Sequence, residues 1–326
     1  MYKGQKIAVV VPAYKEESQI EMVIDTMPAF VDEIIIVDDA SPDKTVEVVR
    51  ACMTTNPKVS LVAREKNGGV GAAIESGYQA FIDGTNDVAV VMAGDGQMNP
   101  DDLTKILDPV VDDEADYSKA NRLTLDYSWD DIPRIRLFGN MVLSLLNRFA
   151  TGYWTIGDAQ TGYTAANRRL VKAFVKRGMY PRYGVPNDLL ITCALVSAVV
   201  VDVPTAPVYN VGEQSKLSPR KVMFPILGIL VRGFFKRMVI RYLILEANPV
   251  PLAYLAGFIS FFLGLFWSLA VAIEALGAKA QATEVTAASI LFVGGSILLV
   301  LAVVLDVLFS SMRNQRRSAS HLDHNR

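Results

Sequence analysis

The sequence predicts an α/β domain built on a mostly parallel sheet, followed by amphipathic helices at a membrane surface and a hairpin of two transmembrane helices. Three observations predict it. Residues 6 to 120 alternate short apolar runs with helix-like stretches, the rhythm of strands joined by crossover helices. From Gln214 to Leu245 there are seven Lys or Arg and no acid among the apolar residues. Finally, 252–273 and 287–309 each run with at most one charge, long enough to cross a bilayer core of about 30 Å.

These features divide the chain into 1–212, 213–248, 249–312 and a basic tail, 313–326. The 326 residues are 51% hydrophobic with a mean hydropathy of +0.28, and the apolar excess lies beyond residue 250. A net charge of −2 and an isoelectric point near 5.8 give no support to nucleic-acid binding. Cys52 and Cys193 form no metal or CxxC spacing and read as small core residues of a reducing compartment. The first apolar run is too short for a signal peptide, which keeps the N-terminal domain in the cytosol. Arg313, Arg316, Arg317 and Arg326 against Asp323 place the C-terminus there too, by the positive-inside rule, with Asp306 at the membrane interface.

Strands are expected at 7–11, 33–37, 59–62 and 88–92, with helices near 16–30, 43–54 and 70–82. Pro12 ends the first strand and Asp38 and Asp39 end the second, while Asn67, Gly68 and Gly69 follow the third. All this punctuation falls on the edge where parallel strands present their carboxyl ends and open sheets bind ligands. No GxGxxG or GxxxxGK[ST] pattern is present. After the fourth strand Gly94-Asp95-Gly96-Gln97 offers oxygen ligands for a hard cation such as Mg2+ or Mn2+. Equally, Asp95 reads as a cap for the helix opening near Pro100.

Arg134 and Arg136 open an apolar helix over 137–150, where the helix dipole favours acids. Either an anionic partner or a solvated charged turn explains them. Residues 158–163 read as a strand edge carrying polar groups, and Pro186-Asn187-Asp188 as a helix start that Asn187 or Asp188 caps. Short strands are expected at 199–203 and 206–210. The basic segment reads as one or two helices beside anionic head groups, with Pro225 and Gly233 as breaks.

Taken together, Val11-Pro12-Ala13-Tyr14-Lys15-Glu16, the Asp38-Asp39 run to Thr45, Asn67-Gly68-Gly69, Gly94-Asp95-Gly96-Gln97, Asp158-Ala159-Gln160-Thr161-Gly162-Tyr163 and Ser215-Lys216 resemble, in order, the inverting family 2 glycosyltransferases of GT-A fold. Within them the chain is similar to the polyprenyl-phosphate enzymes, such as dolichyl-phosphate mannose or glucose synthases. The resemblance implies that Pro12, Tyr14, Glu16, Asp38, Asp39, Gly68, Gly94, Asp95 and Gln160 hold the nucleotide sugar. It implies a divalent metal on Asp95 and Gln97, a lipid phosphate on Arg122, Arg136 and Asn140, and phosphate contact by Lys216. Asp95, Asp188 and Lys216 then carry catalysis, Asp188 as a positioning group rather than an essential base. Implied partners are a UDP- or GDP-sugar, polyprenyl or dolichyl phosphate, membrane lipids and further copies of the chain, since some members are tetramers. Three departures stand out: Ala93 where the family's first aspartate is usual, Asn140 where serine is common, and Asn210 where an arginine often precedes the Ser-Lys pair. Competing readings are a family 2 enzyme with another lipid or polysaccharide acceptor, and a degenerate membrane scaffold or sugar-nucleotide sensor. The absence of QxxRW disfavours a processive synthase.

Overall fold

A computed structural model describes residues 1–123, 134–206, 219–275 and 281–324, with the side chains of 134–137, 219–222 and 313–324 outside the description. The chain forms two compact units, one of residues 1–234 with 316–326 and one of 235–315.

In the first unit, β1 (Ile7–Ala13), β2 (Glu33–Asp38), β3 (Val59–Ala63), β4 (Val88–Val91), β5 (Tyr117–Asn121), β6 (Thr164–Asn167) and β7 (Val200–Pro204) form a single sheet in the order β3-β2-β1-β4-β6-β5-β7. Strand β6 runs antiparallel to its neighbours β4 and β5, and all other pairings are parallel. The carboxyl ends of β1 to β5 and β7, and the entry to β6, therefore share one edge. Alternation sorts the strand residues between two faces. Ala8, Val10, Ile35 and Val37 face α3 (Val70–Asp83), α6 (Arg168–Arg177) and α7 (Val185–Val196). Ile7, Val9, Val11, Ile34 and Ile36 face α1 (Ile20–Asp25), α2 (Thr45–Thr55) and α4 (Leu103–Val111). The first helix is shorter than the sequence suggests, because Pro28 disfavours helical backbone at Met27. The last strand candidate, 206–210, lies almost wholly outside the described residues.

Helix α5 (Arg134–Thr151) packs through Leu143, Leu146 and Ala150 on Ile226, Leu230 and Phe234 of α8 (Pro219–Lys236). Pro225 lies inside α8 without ending it. Both helices also show apolar side chains to the outside: Phe138, Met141 and Leu145 from α5, and Phe224, Leu227 and Val231 from α8.

The second unit opens with a π-helical stretch, Arg237–Leu245, and continues as α9 (Val250–Ala275) and α10 (Ala282–His324). Val250–Ala275 and Ala282–Met312 are long and apolar enough to cross a membrane. They pair antiparallel, with Gly257 against Leu299, Gly264 against Phe292 and Gly295 against Phe261, small residues that let two apolar helices approach closely. Asp306, near the end of the second span, is fully buried. Arg237 donates to both of its carboxylate oxygens, at 2.6 and 2.7 Å, and the Tyr242 hydroxyl donates to it at 2.6 Å. The pairing spans 69 residues of chain, so no local pattern foretells it.

Candidate active site

Adjacent strand ends are stitched together at the carboxyl edge. Gly94 N–H donates to the Pro12 carbonyl at 3.3 Å and Asp39 N–H to the Ala13 carbonyl at 2.9 Å, which brings the ends of β1, β2 and β4 side by side. The loop after β1 is stapled to the loop after β2: Lys15 N–H donates to Ser41 Oγ, Glu16 N–H to Thr45 Oγ1, and Lys44 N–H to a Glu17 carboxylate oxygen. Tyr14 stays exposed on this loop.

Asp38 and Asp39 are both buried. Asp38 accepts from Ser41 N–H at 3.0 Å through one oxygen, while its buried Oδ1 has no hydrogen-bond partner among the described residues. An orphaned buried acceptor at the ligand edge is costly unless a donor arrives. Asp39 is held within the protein: its oxygens accept from Gly68 N–H at 2.9 Å and Gly69 N–H at 2.7 Å, and Arg64 lies 3.3 Å away. It therefore shapes the loop after β3. That loop packs against residues 180–182, where Ala72 N–H donates to the Pro181 carbonyl. A side chain at Gly71 would collide with the Tyr180 carbonyl.

Beyond β4, the helix opening at Pro100 is capped by Asn99, whose side-chain oxygen accepts from Asp101 N–H at 3.0 Å. Asp95 is thus not the cap. Its Oδ1 accepts from Gln97 N–H at 3.0 Å, a tight turn that Gly96 permits with φ of +72°. Burial raises the Asp95 pKa above the usual carboxylate range. Tyr163 O–H donates to the Asn99 carbonyl at 3.2 Å, linking the loop after β4 to the segment entering β6.

The far side of the edge is built from residues 119–122, 157–163 and α7. Arg122 donates through Nε to Asp158 Oδ2 at 2.8 Å, and Gln160 N–H donates to Asp158 Oδ1 at 3.0 Å. The Gln160 side-chain amide pairs with that of Asn187, which Asn147 of α5 also reaches at 3.0 Å. Asn187 is fully buried and lies inside the first turn, so it is no helix cap; Gly184 occupies that position. Its neighbour Asp188 accepts from Tyr180 N–H at 3.0 Å and pairs with Arg177 at 3.4 Å, holding the 178–184 loop to α7.

Among the sequence-predicted residues, then, Pro12, Tyr14, Glu16, Asp38, Asp39, Gly68, Gly94, Asp95 and Gln97 gather at the ends of β1 to β4. Arg122 and Gln160 meet through Asp158. Asn140 stands half-buried on α5, Arg136 belongs to the same helix with its side chain outside the description, and Lys216 lies outside the described residues. Sequence reasoning missed the Asn147–Asn187–Gln160 amide network, the buried Lys119 and the half-buried Asp202. A lysine in the middle of the short strand Tyr-Ser-Lys-Ala-Asn was the available signal.

A mixed sheet whose acidic and glycine-rich loops converge on one edge, followed by a carboxylate turn after β4, defines a glycosyltransferase of the GT-A type. The chain belongs to glycosyl transferase family 2, whose family model matches residues 8–175. Among curated proteins it is similar to UDP-N-acetylglucosamine–dolichyl-phosphate N-acetylglucosaminyltransferase of Methanococcus voltae, 28% identical over 217 residues covering 63% of this chain and 86% of the relative. It is also similar to polyprenol monophosphomannose synthase of Mycolicibacterium smegmatis, 26% identical over 240 residues covering 72% and 90%. Among solved structures, glucosyl-3-phosphoglycerate synthase of Mycobacterium tuberculosis, in complex with Mn2+, UDP and phosphoglyceric acid, shares the fold with a TM-score of 0.53 at 22% identity, covering 73% of this chain and 80% of that one.

Proposed function

We propose that the protein transfers one hexosyl unit, N-acetylhexosaminyl included, from a UDP- or GDP-sugar to polyprenyl or dolichyl phosphate at the cytosolic membrane face, with inversion. The observation that carries the reading is Asp95: it stands at the ligand edge of a family 2 fold, released from helix capping by Asn99. The similar archaeal and mycobacterial enzymes carry lipid-phosphate acceptors in their names. The apolar outer faces of α5 and α8, which carry no acid, and the two long apolar helices suit a membrane-bound acceptor.

The donor set suits a divalent ion that arrives with the diphosphate. Among the described residues no cluster of three or more metal-ligating His, Cys, Asp or Glu exists. Asp95, with Gln97 beside it, supplies one carboxylate, and phosphate oxygens and water complete the shell of a hard cation. When bound, Mg2+ or Mn2+ would neutralise charge developing on the leaving diphosphate. Ala93 leaves this chain one carboxylate short of the usual pattern, which places more of the burden on Asp95.

The reaction is one in-line displacement. An oxygen of the lipid phosphate attacks the anomeric carbon, the bond to the diphosphate oxygen breaks, and the nucleoside diphosphate leaves. The acceptor is already anionic near neutral pH, so no strong base is needed, in keeping with an Asp188 occupied by Tyr180 N–H and Arg177. Arg122, Arg136 and Asn140 would seat the lipid phosphate, guanidinium matching phosphate oxygens. Lys216 would stabilise the leaving group. Incubating the detergent-purified protein with polyprenyl phosphate and a panel of labelled UDP- and GDP-sugars, with and without Mn2+, tests the proposal. Radiolabel should enter the organic phase for one sugar and only with metal. Nucleotide binding without turnover would favour the sensor instead.

A further inference from the structure

Arg122 does not stand alone. Its Nε donates to Asp158 Oδ2, and the guanidinium side chain remains one-third exposed while Asp158 is completely buried. Beneath the pair, Lys119, also fully buried in β5, donates through Nζ to the Asp158 main-chain carbonyl. Asp202 of β7 accepts from Gly157 N–H, one residue earlier, and from Asn121 Nδ2 at 2.9 Å. A side chain at Gly157 would strike the Asn121 amide and displace it from Asp202. Asn121 and Arg122 at the end of β5 and residues 157–158 are thus tied together from opposite sides, by contacts buried beneath the sheet edge.

We propose that Asp158 is a positioning residue for the acceptor: anchored by Lys119 and by the Asp202 contacts, it fixes the Arg122 guanidinium where the lipid phosphate docks. The proposal rests on reading Arg122 as a phosphate ligand. Asp158 suits this role and not that of a base. Burial opposes its charge, but Arg122 and Lys119 outweigh burial and hold its carboxyl below the usual range. Its oxygens are moreover committed to Arg122 Nε and Gln160 N–H. An Arg–carboxylate bond with one buried partner orients the planar fork of the guanidinium, which a flexible unpaired arginine would have to find at each binding event.

Steady-state kinetics on the full-length protein in detergent, varying polyprenyl phosphate and sugar nucleotide in turn, test it. Asp158→Asn should raise KM for polyprenyl phosphate by about 10-fold or more while KM for the sugar nucleotide changes by less than about 2-fold. Arg122→Gln should do the same, and the double variant should be no worse than Arg122→Gln by more than about 3-fold, because the carboxylate acts through the arginine. Equal increases in both KM values, a fall confined to kcat, or fully multiplicative effects in the double variant would overturn the proposal. An unchanged lipid KM in Arg122→Gln would instead remove Arg122 from the acceptor site, and the proposal with it. Should Asp158→Asn fail to fold, as judged by lost sugar-nucleotide binding, Arg122→Lys serves: it keeps the cation but not the fork, so the lipid KM should rise by about 5-fold or more, and no change overturns the proposal.

Discussion

Replacing Asp95 with Asn changes one carboxylate oxygen to an amide nitrogen and leaves an oxygen to accept the Gln97 N–H bond, so the turn after β4 is preserved. What is lost is the charge. A unit charge pair about 4 Å apart at an effective dielectric near 20 is worth about 4 kcal/mol, and a diphosphate that still holds the metal recovers part of it. A net loss of about 3 kcal/mol corresponds to roughly 10²-fold in kcat/KM for the sugar nucleotide. The assay is transfer of labelled sugar to polyprenyl phosphate across a Mn2+ titration: the variant should need more Mn2+ for half-maximal rate. Proton competition adds a second signature. Because burial raises the Asp95 pKa, the parent's apparent metal affinity should weaken as pH falls from neutral toward the carboxylate range, and the Asn variant should lose that dependence. A variant within about 2-fold of the parent at every Mn2+ concentration would refute the assignment of Asp95 as metal ligand.

Other expectations follow from the same geometry. Ala93→Asp supplies a second carboxylate two residues from Asp95 and should tighten Mn2+ activation by about 10-fold; unchanged or weaker activation would count against a metal at the loop after β4. Gly71→Ala drives a methyl into the Tyr180 carbonyl and should cost about 1–3 kcal/mol in thermal unfolding, whereas an unchanged melting temperature would contradict the packing of the loop after β3 on residues 180–182. The folded-state pKa of Asp202 is raised from 3.8 to about 6 by burial, so the unfolded chain loses this proton first and stability is shed as pH rises through that interval. Asp202→Asn should therefore gain up to about 3 kcal/mol over the parent at pH 8 and little at pH 4, and a pH-independent difference would disprove the shift. Removing one partner of the buried Arg237–Asp306 pair, as in Asp306→Asn, should cost about 3–5 kcal/mol, and a double Arg237→Met, Asp306→Leu variant less; equal stability of parent and single variant in detergent melts would contradict it.

The strands and helices of the sheet, and the edge at which function gathers, are legible because they rest on local patterns: apolar runs of strand length, glycines, and acids at strand ends. The long apolar helices are legible for the same reason. Residue roles are less so, because each depends on a partner far along the chain. Asp39 reads as a nucleoside ligand, yet its oxygens take the Gly68 and Gly69 amides 29 and 30 residues on. Asn187 reads as a cap and proves to be a buried amide joined to Gln160, 27 residues before it. The cap at Pro100 falls to Asn99, whose side chain accepts from Asp101 N–H, while Asp95 turns back on Gln97 N–H. Asp306 looks like a blemish in an apolar span until Arg237 is found beside it.

Mass spectrometry of the lipid recovered after incubation with the preferred sugar nucleotide and metal tests the proposed activity most directly. Polyprenyl phosphate should gain one hexosyl or N-acetylhexosaminyl unit and no more, with one equivalent of nucleoside diphosphate released. Release of nucleoside diphosphate with the lipid mass unchanged, or sugar found only on another acceptor, would contradict it.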